Sequence, residues 1–372
     1  MVLSDCIVLD ISRHLPGPYA TRLLADMGAT VFKLESSEGD PARHMAPVLE
    51  GASAFYHALN AGKKSVRLNL KEQQNIFREM VTKADVLIDS FRPGVMGKLG
   101  LESGALLKLN PKLVHCSITG YGTTQSPVGL VGHDVNFLAR AGVMSLMPCS
   151  EGVPAIPGVQ IGDVFGGAQG AVSAVLAALL ERTRTGKGRH IEISMAREVH
   201  KLARLSYLAQ GMGFLPLEGG NSFLSGGLPC YRAYPTADGK FMAVGALEPK
   251  FFKTICEIVG RPELTDKAFA SGEERDSAVS QLEESFRSRT QDEWVKAFEG
   301  VSTCCEPVVT VAEAIEDPLV NAPAIGKYRF WTNSMVPPPE GLESAELAEE
   351  LGADTEMAYA FFDISSGSSP KS

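Results

Sequence analysis

Residues 6–35 read CIVLDISRHLPGPYATRLLADMGATVFKLE, and the fold class follows from them. Cys6 to Asp10 is a short apolar run of the kind that fills a strand covered on both faces. Pro18 to Met27 has the composition of a helix, with a proline at its start, and Ala29 to Glu35 is a second apolar strand. Strand, helix and strand at these lengths form a βαβ unit, which sets its two strands parallel in one sheet.

The pattern continues outward from that unit. Ser65 to Leu70 reads as a strand, Glu72 to Lys83 as a helix, and Val86 to Ile88 and Leu113 to Ile118 as two more buried strands. The expected class is α/β, with a Rossmann-like parallel sheet. The first turn holds Pro16-Gly17-Pro18 where a dinucleotide fold carries GxGxxG, so no motif supports a nicotinamide or flavin site. Val164 to Glu181 is rich in Ala, Val and Leu on nearly every face and is expected to be an enclosed core helix. Arg184 to Arg189 supplies a glycine turn, and His190 to Ser194 alternates as a strand does.

A chain of 372 residues exceeds what one core fills, so two domains are expected. The Gly, Pro, Asn and Ser cluster at 211–230 marks the boundary. Beyond it, Tyr231 to Tyr234, the turn Asp238-Gly239-Lys240 and Phe241 to Gly245 predict a hairpin, with charged helices following, in a smaller α+β domain. Pro337-Pro338-Pro339 and the serine-rich tail after Ile364 read as linker and disorder.

A net charge of −9 argues against nucleic acid or an anionic membrane as partner. Seven cysteines without a CxxC pair imply free thiols in a reducing compartment. The amino terminus lacks the pattern of a secretory leader, and no stretch reads as a membrane span, so a cytoplasmic location is expected.

Three residues have chemical promise. Asp163 stands just ahead of the Ala-rich helix among Gly162, Gly166 and Gly167. It reads either as a helix cap or as a carboxylate at a site where ligand approaches backbone. His133, in Gly132-His133-Asp134, sits at the start of another helix; an imidazole titrates near ~6.5 and is suited to exchange a proton near neutrality, although a histidine in such a place is, taken alone, more often a hydrogen-bonded core residue. Glu248, just after the second hairpin strand, is either solvent-facing or placed to orient an imidazole.

The chain resembles the family III coenzyme A transferases, and within them the branch that acts as racemases. The resembling segments are LDISRHLPGPYATRLLADMGATVFKLE (9–35), NAGKKSVRLNLK (60–71), ADVLIDSFRPGVMGKLGL (84–101), GHDVNFLARAGVMS (132–145), IGDVFGG (161–167) and YRAYPTADGKFMAVGALEPKFF (231–252). The resemblance implies that Asp163 is the nucleophile of a transferase or an acid/base of a racemase, that His133 is the opposing acid/base, and that Glu248 is the acidic partner of that histidine. It implies racemisation of 2-methylacyl-CoA thioesters through an enolate, or alternatively CoA transfer to a carboxylic acid through an aspartyl anhydride. Coenzyme A would enter as part of the substrate, with no prosthetic group. Arg43, Lys63, Lys64 and Arg92 match basic positions near the CoA phosphates.

An interlocked homodimer is implied, with Glu248 facing His133 of the other chain. The implied layout is a large domain of 1–210 and 330–372 around a linker and small domain of 211–329. Asn321-Ala322-Pro323 departs from relatives that carry an arginine there.

Overall fold

The computed structural model describes residues 1–123, 130–213, 218–319 and 347–364. The Asn321-Ala322-Pro323 departure, the proline run and the tail beyond Ile364 lie outside the described residues. Contacts group the chain into two units. The first comprises the described residues within Met1–Ala141, Pro157–Leu202 and Ala322–Ser372, and the second those within Gly142–Ile156 and Ala203–Asn321. Residues 142–156 and 203–210, expected in the large domain, thus fall in the second unit.

The first unit is built on β1 (Ile7–Asp10), β2 (Thr30–Glu35), β3 (Lys64–Arg67), β4 (Val86–Asp89), β5 (Val114–Thr119) and β6 (Arg189–Ser194). They form one six-stranded sheet in the order β6-β5-β4-β1-β2-β3, parallel throughout. The strand order reverses at β1, whose neighbours are β2 on one side and β4 on the other. Doubly wound sheets open a crevice at the carboxyl ends of the strands where such a reversal occurs.

Each sheet face has its own core. On one, Val8, Val31, Ile88, Cys116 and Ile118 pack with Leu23 and Leu24 of α1 (Pro16–Asp26). On the other, Leu9, Phe32, Leu34 and Leu87 pack with Phe77 and Met80 of α2 (Gln74–Lys83). Ala358, Tyr359 and Phe362 complete this second layer, and Phe32 meets the rings of Phe361 and Phe362 at 5.3 and 5.1 Å.

The Ala-rich segment differs from expectation. It is helical from Ile161 to Thr185, beginning as a π-helix (Ile161–Gln169) and continuing as α4 (Gly170–Thr185), which follows α3 (Asp134–Arg140) in the chain. Ala168, Ala171, Val172, Val175 and Ala178 pack into the core, while Phe165 and Leu180 are 52% and 57% exposed, so the helix is enclosed on one side of this chain only. Contrary to the sequence reading, these 25 residues are long and apolar enough to cross a membrane by length and composition. Their apolar stripe instead covers the sheet, as in the core helix of a doubly wound fold.

In the second unit β7 (Tyr231–Pro235), β8 (Phe241–Gly245) and β9 (Cys305–Pro307) form an antiparallel sheet. Its core gathers Tyr234, Met242, Phe252, Phe286 and Trp294, and the buried indole N–H of Trp294 donates to the Phe286 carbonyl at 2.7 Å. All seven cysteines are free.

Candidate active site

The crevice expected at the strand reversal is present. A cavity of about 490 Å³ is lined by Arg13 and His14 after β1, by Phe91 and Arg92 after β4, and by Gly120 and Tyr121 after β5. Its remaining wall carries His133 and Asn136 from the start of α3, and Asp163 from the π-helix. Both candidate acid/base residues of the first unit therefore line one cavity.

His133 immediately precedes α3 in extended backbone. The Asn136 side-chain oxygen accepts the His133 N–H at 3.0 Å, and the His133 carbonyl accepts the Asn136 N–H at 2.8 Å. These reciprocal bonds fix the backbone and leave the imidazole exposed.

Asp163 is the third residue of the π-helix and not its cap. Its backbone N–H is already taken by the Asp134 carboxylate at 2.9 Å, so its side chain is released from capping and lines the cavity. Burial pushes its carboxyl up to about 6; the charge of Asp134 acts in the same direction, and His133 opposes them. A carboxyl titrating there can both take and give a proton near neutral pH. The glycines expected to admit ligand beside Asp163 serve packing instead. A Cβ on Gly167 would stand 2.7 Å from Pro16 Cβ and 3.0 Å from Met195 Sδ, so only glycine lets the π-helix lie this close to α1 and to α5 (Met195–Leu202).

Glu248 belongs to the second unit. It is exposed and immediately precedes α6 (Pro249–Ile258), where its carbonyl accepts the Phe251 N–H at 3.0 Å. The residues lining the cavity all come from the first unit.

The four cations expected near phosphates separate by environment. Arg92 is exposed at the cavity, and Arg13 lies beside it with its guanidinium 5.7 Å from the Phe91 ring centre. Arg43 does not fit the expectation. It is buried, with two bonds to Glu35 at 2.7 and 2.8 Å, a third to the Tyr56 hydroxyl at 2.6 Å, and its guanidinium stacked on the Tyr56 ring. Lys63 is likewise corrected to a structural role. Its ammonium spends three donors on Pro18 O, Asn60 Oδ1 and Asp10 Oδ2 at 2.7, 2.8 and 3.1 Å. Lys64 is half-exposed and 3.8 Å from Asp354.

Sequence reasoning passed over Arg13, His14, Tyr121 and Asp134. The first three follow strands whose carboxyl ends meet at the reversal, so the strand order was the signal that could have found them. Asp134 needed the contact to Asp163, which spans 29 residues.

A doubly wound sheet with an imidazole and a raised carboxyl in the crevice at its switch point has the form of an acid–base α/β enzyme. The chain belongs to CoA-transferase family III, whose model matches residues 3–328. It is similar to the alpha-methylacyl-CoA racemase of Mus musculus, at 34% identity over 317 residues that cover 85% of this chain and 80% of that protein. It is also similar to the succinate–glutarate CoA-transferase of Agrobacterium fabrum, at 33% identity over 341 residues covering 86% and 83%. A crystal structure of a CAIB/BAIF family protein from Brucella suis superposes with a TM-score of 0.80 at 27% identity, covering 96% of this chain and 98% of that one. Relatives named for either chemistry stand at similar identity, so the site must argue the reaction.

Proposed function

We propose that the protein racemises 2-methylacyl-CoA thioesters, with His133 and Asp163 exchanging the proton at the α-carbon. The observation that carries this reading is the presence of both side chains on one cavity, the carboxyl held up at about 6. A carboxyl in that range can take or give a proton near neutral pH, and the imidazole beside the same cavity supplies the second acid/base group of a two-base exchange. In one direction Asp163 takes the α-proton and the C–H electron pair moves into the thioester as an enolate; protonated His133 then delivers its proton to the opposite face. The other enantiomer runs the roles in reverse. The step is redox-neutral and balances without a prosthetic group.

Arg92 and Arg13, at the same cavity, are the cations this reading assigns to the CoA phosphates. Glu248 enters it as the carboxylate that orients His133 from a second copy of the chain, in a homodimer.

A second reading is favoured by the transferases among the relatives. In it, Asp163 attacks the thioester carbon to give a mixed anhydride and CoA thiolate, and the thiolate returns to the aspartyl carbonyl as the donor carboxylate leaves. The acceptor carboxylate then attacks this aspartyl-CoA thioester, and the released thiolate takes the acceptor's acyl group from the second anhydride and frees Asp163. Incubating a single-enantiomer 2-methylacyl-CoA in deuterated water, with and without a free carboxylic acid, separates the two. The racemase reading expects α-deuterium and loss of optical purity whether or not acceptor is present. A new CoA thioester that forms only with acceptor, without exchange, would replace it by the transferase reading.

A further inference from the structure

We infer that Asp134 is the positioning residue of Asp163: it holds the backbone of that residue from the neighbouring helix and sets the pH at which Asp163 gives and takes its proton. The inference rests on the reading of Asp163 as an acid/base and assigns Asp134 no contact with substrate.

The geometry is specific. Asp134 Oδ1 accepts the Asp163 N–H at 2.9 Å, joining the first residue of α3 to the third residue of the π-helix. A Cβ on Gly162 would come within 3.0 Å of that same oxygen, so a glycine is what allows the carboxylate to seat there. His133 and Asp134 are adjacent in the chain, so one turn of backbone carries an acid/base side chain and also anchors the backbone of the other.

The contact brings a negative charge beside a carboxyl that must itself ionise. The titratable and charged groups around Asp163 are His133 and Asp134 from α3, Arg13 and His14 after β1, Arg92 after β4 and Tyr121 after β5. On the flank toward α5, the Glu198 side chain packs against Gly166 and Gly170. Of these, Asp134 is the carboxylate within hydrogen-bond distance of Asp163's own backbone. Like charge this close disfavours the ionised form, in the same direction as burial.

Two variants separate position from charge. Asp134→Asn keeps an oxygen to accept the Asp163 N–H and removes the charge; Asp134→Ala removes both. The direct readout is the ¹³C NMR titration of the Asp163 carboxyl in aspartate-labelled protein, assigned by its loss in Asp163→Asn. The second readout is the pH profile of α-proton exchange. In Asp134→Asn the carboxyl midpoint is expected to fall by roughly half a unit or more, the acid limb of the exchange profile should follow it, and turnover at the optimum should stay close to wild type. In Asp134→Ala turnover should fall a further tenfold or so, because the base is no longer held in register. A midpoint that stays put or rises in Asp134→Asn overturns the inference. A midpoint that falls while the exchange profile does not follow leaves Asp134 as the tuner of that carboxyl and removes Asp163 from the proton transfer.

Discussion

Asp163 ionises against its surroundings, and this has a thermodynamic signature separate from catalysis. Its carboxyl titrates at about 6 in the folded chain against ~3.9 for an unfolded aspartate. Between those values the native state binds more protons than the unfolded one, so this residue's contribution to stability falls as pH rises through that window. Asp163→Asn, similar in shape but uncharged, is expected to stabilise the protein at pH 8 by on the order of 1–2 kcal/mol and to change little at pH 4. It should also abolish α-proton exchange; urea denaturation at the two pH values and the deuterium assay check the pair. The cations give a second contrast. Arg43→Ala strands the buried Glu35 carboxylate and should cost about 3–5 kcal/mol in urea melts. Arg92→Ala should leave stability unchanged while raising KM for the CoA thioester roughly tenfold with kcat preserved.

At the scale of elements, β4 ends in Asp89, a buried carboxylate with three tasks. Oδ1 accepts the Phe91 N–H at 3.1 Å, while Oδ2 meets His115 Nε2 at 2.8 Å and accepts the Ser117 hydroxyl at 2.6 Å. The strand thereby fixes the loop that carries Phe91 and Arg92 into the cavity. Asp89→Ala leaves buried polar groups without partners, and a loss of about 2–4 kcal/mol is expected, together with a raised KM for the thioester; thermal unfolding and steady-state kinetics test both. The parallel strands were legible because a doubly covered strand must be apolar along its length, and Ile7-Val8-Leu9 and Val86-Leu87-Ile88 are. The hairpin was legible from Asp238-Gly239-Lys240. The winding of Ile161–Gln169 was not, since an apolar run constrains which residues are buried and leaves the hydrogen-bond register open. Nor could the sequence show that Arg43 is buried, because burial of a cation depends on carboxylates such as Glu35 that arrive from elsewhere in the fold. His133 and Asp163 were plausible singly, but their shared cavity depends on where two helix starts lie relative to the strand reversal.

For the whole molecule, the thiols report on integrity. Cys149 and Cys304 are exposed and the other five buried. Burial raises Cys6, Cys256 and Cys305 to about 12, which leaves them almost entirely protonated at neutral pH. Titration with a thiol reagent should show two fast groups in the native protein and seven in denaturant. The first unit is also discontinuous, interrupted by the second, and one of its two cores includes Tyr359 and Phe362. During synthesis those side chains leave the ribosome only after the whole second unit has been made. The hydrophobic face formed by Phe32, Leu34 and Leu87, covered in part by Phe77 and Met80 of α2, must therefore wait for its last layer, while the second unit can complete its own core first. A chain stopped before Tyr359 would leave that face without its last layer.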